Sequence, residues 1–115
     1  MEAQITSTSN NVPIAMIKLE KQILGGTEAL LFSSKMRELV AMKIGSVVID
    51  LSSVESMNSS GLGMLVSGLS TLKNAGSNML LANVPEKVMN LLTMTHLDKI
   101  LKIFSNVDEA VSSLN

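Results

Sequence analysis

The chain has no cysteine, no tryptophan and no tyrosine, and its only aromatic residues are Phe32 and Phe104. Lack of thiols excludes disulfides, thiolate nucleophiles and cysteine-ligated metal, and is compatible with a reducing compartment. With so few aromatics there is no platform on which nucleobases could stack. Nine basic residues against ten acidic ones, a formal net charge of −1 and no basic cluster give no electrostatic footprint for a polyanion, so nucleic acid is not an expected partner. His96 is the single histidine, expected as a cap or surface residue, and no ligand set for a metal can be assembled around it. No run approaches the roughly 20 apolar residues of a membrane span. The start, MEAQITSTSN, lacks the basic and apolar regions of a signal peptide, so a cytoplasmic protein without membrane insertion is expected.

What is present is a substantial aliphatic and methionine content. Hydrophobic residues make up 46% and charged residues 17% of the 115 positions, too apolar for disorder. A chain of this length fits one domain, residues 1–115, and buries about two-thirds of its unfolded surface without staples. Met, Leu, Ile and Val must fill the core. No linker or internal repeat interrupts it.

Periodicity predicts strands alternating with helices. Ile14, Met16, Ile17 and Leu19 alternate as a strand, with residues 2 to 6 as its hairpin partner. After Gly25 and Gly26, Thr27 is expected to cap a helix to about Lys43, with Leu30, Leu31, Ser34, Leu39 and Met42 near helical spacing and Gly45 ending it. Residues 46 to 51 form a β-branched run of the kind buried on both faces. Leu62, Leu65, Val66, Leu69 and Leu72 then make an apolar helical stripe that Gly76 terminates. Residues 79 to 84 read as a strand and Pro85 starts a third helix, with Val88, Leu91, Leu92 and Leu97 toward the core. A last strand covers 100 to 104, and Asn106 with Glu109 forms a capping box for a terminal helix with Ala110, Val111 and Leu114 inward. The order β-β-α-β-α-β-α-β-α argues an α/β domain with largely parallel central strands.

The densest information lies between Val47 and Leu65, VVIDLSSVESMNSSGLGML. Ser59 and Ser60 fall where the first N–H groups of a helix lack intrahelical partners and the macrodipole is positive, a place that would stabilise an added phosphate. Capping alone explains the same polar residues. Asp50, ending a buried strand, is expected to bond nearby backbone N–H groups. Gly61 and Gly63 permit either close helix–sheet packing or close approach by a partner. Met57 and Met64 fit either a changeable contact surface or the core. Other matches carry little. Gly61-Leu62-Gly63 followed by Gly68 has the wrong spacing for a dinucleotide fingerprint, and Ser70-Thr71-Leu72-Lys73 is a mid-helix S-x-x-K without companion motifs. No nucleophile–base–acid set can be assembled, so neither an enzyme nor a cofactor is expected.

Asp50-Leu51-Ser52 followed by Met57-Asn58-Ser59-Ser60-Gly61-Leu62-Gly63 resembles the STAS domain, the anti-sigma factor antagonist family. That family's pattern is a strand ending in an Asp-Leu-like pair, then Asp-Ser-Ser/Thr-Gly-Leu. The element order matches over residues 3 to 114. The resemblance implies a STAS-like α/β fold, a mixed and mostly parallel sheet of four to five strands packed with about four helices. It further implies that Ser59 is phosphorylated by an anti-sigma factor that is a serine kinase, and dephosphorylated by a PP2C-type phosphatase. Phosphate would block partner binding; the unphosphorylated antagonist would occupy the anti-sigma factor and release sigma factor. Asn58, Ser59, Ser60, Gly61, Leu62, Gly63 and Met64 would form the docking face.

The chain departs from that pattern at two positions. Asn58 stands where an Asp is usual, and Leu24, in Lys21-Gln22-Ile23-Leu24, stands where Gly-Glu-Leu-Asp would place a second acid. Losing two carboxylates removes acceptors that could orient the serine hydroxyl, and also removes repulsion toward a phosphate. Two further readings stay open: a constitutive, non-phosphorylated STAS scaffold or transporter-associated subunit, and a small nucleotide-binding enzyme. Absence of a phosphate loop counts against the last.

Overall fold

The structure, a computed structural model, describes residues 1–115. The chain opens with β1 (Gln4–Ser7), β2 (Pro13–Lys18) and β3 (Gln22–Ile23), then α1 (Thr27–Ala41), β4 (Ser46–Asp50) and β5 (Ser56–Met57). It continues through α2 (Ser59–Asn74), β6 (Asn78–Ala82), α3 (Glu86–Met94), a 3-10 turn (Leu97–Lys99), β7 (Lys102–Phe104) and α4 (Val107–Ser112). Five strands form one sheet in the order β1-β2-β4-β6-β7, with β1 antiparallel to β2 and every other neighbour parallel. This is the mixed, mostly parallel sheet with four helices that the resemblance implied.

The aliphatic run of β4 explains the layering. Successive side chains of a strand point to opposite faces, so a strand with no polar alternation needs cover on both. Val47 and Ile49 enter the main core with Ala15 and Ile17 of β2, Met79 and Leu81 of β6, and the inward residues of α1, α2 and α3. Val48 faces the other way, with Ile14, Leu80, Ala82 and Ala110 of α4. Helices α1 to α3 therefore cover one face and α4 the other.

Helix α1 differs from the reading of its sequence in three ways. Its inward residues are Phe32, Met36 and Leu39, whereas Leu30, Leu31 and Met42 are exposed, Leu30 at 72%. Ala29-Leu30-Leu31-Phe32 is an unbroken apolar run in which each residue competes for the inward face, and the largest takes the core. Thr27 is the first helical residue; the N-cap is Gly26, with no side-chain cap bond. The helix stops at Ala41, and Lys43, not Gly45, takes the left-handed conformation beyond it (φ 61°). There the Ile44 N–H donates to the Leu39 carbonyl at 3.1 Å, closing the C-terminus as Gly76 (φ 79°) does for α2, where Ser77 N–H bonds the Leu72 carbonyl at 2.8 Å.

The later elements lie where the sequence placed them. Pro85 is the N-cap of α3, and the Asn106 Oδ1 accepts the Glu109 N–H at 2.8 Å. Leu97 sits half-buried in the 3-10 turn beyond α3, and His96 is exposed in the left-handed region (φ 61°). Two elements carry no sequence signal: β3 and β5, a separate two-strand ladder pairing Gln22 with Ser56 and Ile23 with Met57. Two residues are too few to show a period.

Phe32 is fully buried and lies over Gly68 of α2, where a side chain on the glycine would meet its ring. Phe32→Ala is expected to cost about 3–5 kcal/mol in urea denaturation, a large share of a small domain's stability. Leu30→Ala should stay within about 0.5 kcal/mol of wild type.

Candidate functional site

The ladder of β3 and β5 brings the start of α2 beside the loop that leads into α1. Asn58 is the hinge of this junction, in extended conformation (φ −106°, ψ −177°) as the N-cap of α2. All four of its hydrogen-bonding groups are engaged. Its backbone N–H donates to the Ile23 carbonyl at 3.3 Å and its carbonyl accepts the Leu62 N–H at 3.0 Å. Its Oδ1 accepts the Gly61 N–H at 2.9 Å, while Nδ2 donates to the Leu24 carbonyl at 3.3 Å. An aspartate could make the first three bonds and not the fourth, since a carboxylate has no donor for the Leu24 carbonyl. Asparagine therefore ties the β3–α1 loop to the helix, a physical role for the departure at this position.

Two glycines permit the same approach. A Cβ on Gly61 would lie on the Ile23 carbonyl oxygen, so α2 rests directly on the β3 backbone. Gly25 (φ 87°) lets the loop turn, and a Cβ there would stand 2.8 Å from the Cβ of Ser60. Gly63 meets nothing within 4 Å and is exposed. The two glycines weighed together in the sequence thus separate: Gly61 serves packing, and Gly63 lies on open surface.

Ser59 and Ser60 are exposed in the first turn of α2, where N–H groups have no intrahelical acceptor. Asn58 and Gly63 share that surface. Leu62 and Met64 do not: they are 6% and 4% exposed and belong to the core, as does the buried Gly61. Their side chains back the surface, because positions three and four apart share a face of a helix and these two fall on the inward one, Leu62 with Leu65 and Leu69, Met64 with Gly61 and Gly68. Met57 is half-buried at the ladder. Leu24, by contrast, is a large exposed apolar group beside the site, at 48%. The glycine pair after it was the sequence signal for this loop; its proximity to Ser60 had none.

The segments that build the site are uncharged, with Lys21, Glu28 and Glu55 at their borders. Residues 22–27 and 56–72, which build it, include no Asp, Glu, Lys, Arg or His. A charged group with a shifted titration, Asp50, ends β4. Burial pushes the Asp50 carboxyl upward, but bonds from the Ser52 N–H at 2.9 Å and the Asn83 amide at 3.1 Å, the Ser52 hydroxyl and the Lys18 charge outweigh it and hold the group below the usual carboxylate range. Asp50 also lines a cleft of about 1100 Å³ with Lys18, Glu28, Gly25 and the N-terminal residues. In it the Glu28 carboxyl is raised by burial and then by the nearby Glu20 charge. No three His, Cys, Asp or Glu side chains group in a way that could hold a metal ion. No helix is long and apolar enough to cross a membrane.

Gly61→Ala is expected to destabilise the fold by about 1–3 kcal/mol, because the methyl would lie on the Ile23 carbonyl, backbone that cannot give way. Gly63→Ala should stabilise it by about 0.5–1 kcal/mol, as an open helical glycine gains in propensity; denaturant midpoints check both. Asp50 has a folded pKa below its unfolded value, so its contribution is present at neutral pH and is lost as pH falls through the folded value. Asp50→Asn should therefore cost about 1 kcal/mol at pH 7. The gap to wild type should close on acidification below about pH 4, in unfolding curves recorded across that range.

Comparison with known proteins agrees with this geometry. The profile of the STAS domain matches residues 4–110. A Thermotoga maritima protein assigned as an anti-sigma factor antagonist is 38% identical over 64 residues, and its Thermotoga neapolitana counterpart 34% over 68. These matches take in 56% and 59% of this chain and 57% and 60% of the two relatives, so the chain aligns with under two-thirds of their length. A crystal structure of a T. maritima protein assigned as an anti-sigma factor antagonist superposes with TM-score 0.76 at 28% identity, covering 96% of this chain and 92% of that one. Unphosphorylated SpoIIAA, an anti-sigma factor antagonist, shares the fold at TM-score 0.73 and 13% identity, over 98% and 96% of the two chains. Element order, sheet topology, the Asn58–Gly63 turn and the sequence profile converge, and the chain belongs to the STAS domain family.

Proposed function

We propose that this protein is an anti-sigma factor antagonist, a binding module and not an enzyme, which docks an anti-sigma factor on the surface of Asn58, Ser59, Ser60 and Gly63. Gly61, Leu62 and Met64 hold that surface from behind. Ser59 is the phosphoacceptor, modified by an anti-sigma factor that is a serine kinase and restored by a PP2C-type phosphatase. The observation that carries this reading is the placement of Ser59. It is exposed at the first helical position of α2, where free N–H groups and the macrodipole favour an anion and no acidic residue stands in the first turn. The assignment of the T. maritima and T. neapolitana relatives supports the general role.

Phosphoserine adds about −1.5 to −2 charges without needing to refold anything. Asn58 already satisfies the Gly61 N–H, so a phosphate at Ser59 would leave the cap in place. Its effect is at the interface, where two charges must be desolvated against a surface that had matched a neutral one. Leu24, exposed where the family pattern has an acid, makes the surface more apolar and favours a second reading, a constitutive scaffold that never carries phosphate.

Phosphopeptide mapping of protein from native cells, grown with and without stress, separates the two. Phosphate on Ser59, lost in Ser59→Ala, together with at least about tenfold weaker capture of the anti-sigma factor by Ser59→Asp, a change of about 1.4 kcal/mol, is the expected result. No phosphate in any condition and equal capture by Ser59→Asp would establish the scaffold instead.

A further inference from the structure

The outer edge formed by β1 is uncovered. All four of its residues, Gln4, Ile5, Thr6 and Ser7, are exposed, and none is charged or a proline. Its register with β2 runs without a bulge from Gln4 opposite Met16 to Ser7 opposite Pro13. Edge strands offer a row of unpaired N–H and C=O groups, and proteins usually blunt them with shortness, charge, proline, a bulge or a covering element; the four-residue β1 has shortness alone. The opposite edge is blocked in this way: β7 begins at Lys102, and both the 3-10 turn and α4 pack against it.

The β1–β2 ladder determines which groups are free. Thr8 N–H donates to the Val12 carbonyl at 2.9 Å. Antiparallel pairs alternate between bonded and non-bonded, so Thr6 with Ile14 and Gln4 with Met16 are the bonded pairs that follow. The N–H and C=O groups of Ile5 and Ser7 therefore point away from β2, and continuing the alternation brings Ala3 to the same side. Pro13 fits this phase: it has no N–H to donate and stands opposite Ser7, at a non-bonded pair.

We propose that a second copy of this chain pairs with this edge, antiparallel about a two-fold axis at Ile5, so that two five-stranded sheets become one continuous sheet. In this register Ile5 faces the partner's Ile5, and Ala3 faces the partner's Ser7. Every outward N–H and C=O of the three residues is then bonded. Ile5, 48% exposed, is the aliphatic residue of the edge and covers itself. Glu2, the nearest charged residue, falls opposite the partner's Thr8, so no like charges meet. A two-fold contact uses the same patch twice and closes at the dimer. The paired segment is only three bonded pairs long, so the dimer is a weak one, with monomer and dimer expected to exchange at about 0.1 mM.

Sedimentation equilibrium from about 0.01 to 1 mM tests this, together with three variants. Wild type should rise from 12.3 kDa toward twice that mass. Ile5→Pro deletes an outward N–H and no β1–β2 bond, so it should keep the wild-type circular dichroism and stay monomeric throughout. Ile5→Cys introduces the chain's single thiol on the two-fold, where bonded antiparallel Cα atoms lie about 5.5 Å apart, within disulfide reach. It should cross-link under mild oxidation at least ten times faster than Ser7→Cys, whose partner position is offset. A wild type that stays monomeric at the highest concentration, an Ile5→Pro variant that dimerises like wild type, or equal cross-linking of the two cysteine variants overturns the proposal. If Ile5→Pro fails to fold, the cysteine pair decides.

Discussion

The close approach of α2 to the backbone of β3 is the constraint from which the site follows. With no side chain at Gly61, the helix can start directly above the Ile23 carbonyl, and this height lets the Asn58 amide span to the Leu24 carbonyl. The loop into α1 is thereby drawn against Ser60, at a point where Gly25 also has no side chain. Three small or bifunctional residues thus fix two helix N-termini relative to each other before any large hydrophobic contact is considered. The aliphatic core beneath gives the assembly its stability, and these backbone contacts give it its geometry.

Much of this was legible in the sequence because two kinds of signal are strong in it. The uninterrupted apolar stretch of β4 announces a strand covered on both faces, and Asn106, Pro85 and Gly76 punctuate helices where their chemistry requires. The stripe of α2 is unambiguous because its inward leucines alternate with serines and glycines. Helix α1 was harder, since Leu30, Leu31 and Phe32 are adjacent apolar residues, and the face that packs is that of Phe32, Met36 and Leu39, with Phe32 over Gly68. The αL residue at its end is Lys43, a residue type that carries no such signal.

The site divides along the same line. A serine at a helix start is visible from the order of residues alone, and so are the two departures from the family's acidic pattern. What Asn58 does is visible only in three dimensions, because its partner Leu24 lies 34 residues away and the bond is made to a carbonyl that any residue would offer. The burial of the Leu62 and Met64 side chains was hidden for a related reason. A motif is contiguous in sequence, but a helix turns its successive residues through about 100° and sends part of any motif inward.

The neutrality of the segments 22–27 and 56–72 has a kinetic side. With a formal net charge of −1 and no charge on these segments, the surface steers little, so on the proposed docking role encounter is expected near the unsteered rate of about 10⁵–10⁶ M⁻¹s⁻¹. Selectivity must then reside in how long a complex lasts once formed. A surface of this kind samples many collisions, keeps few, and becomes sensitive to salt only when a charge is placed on it.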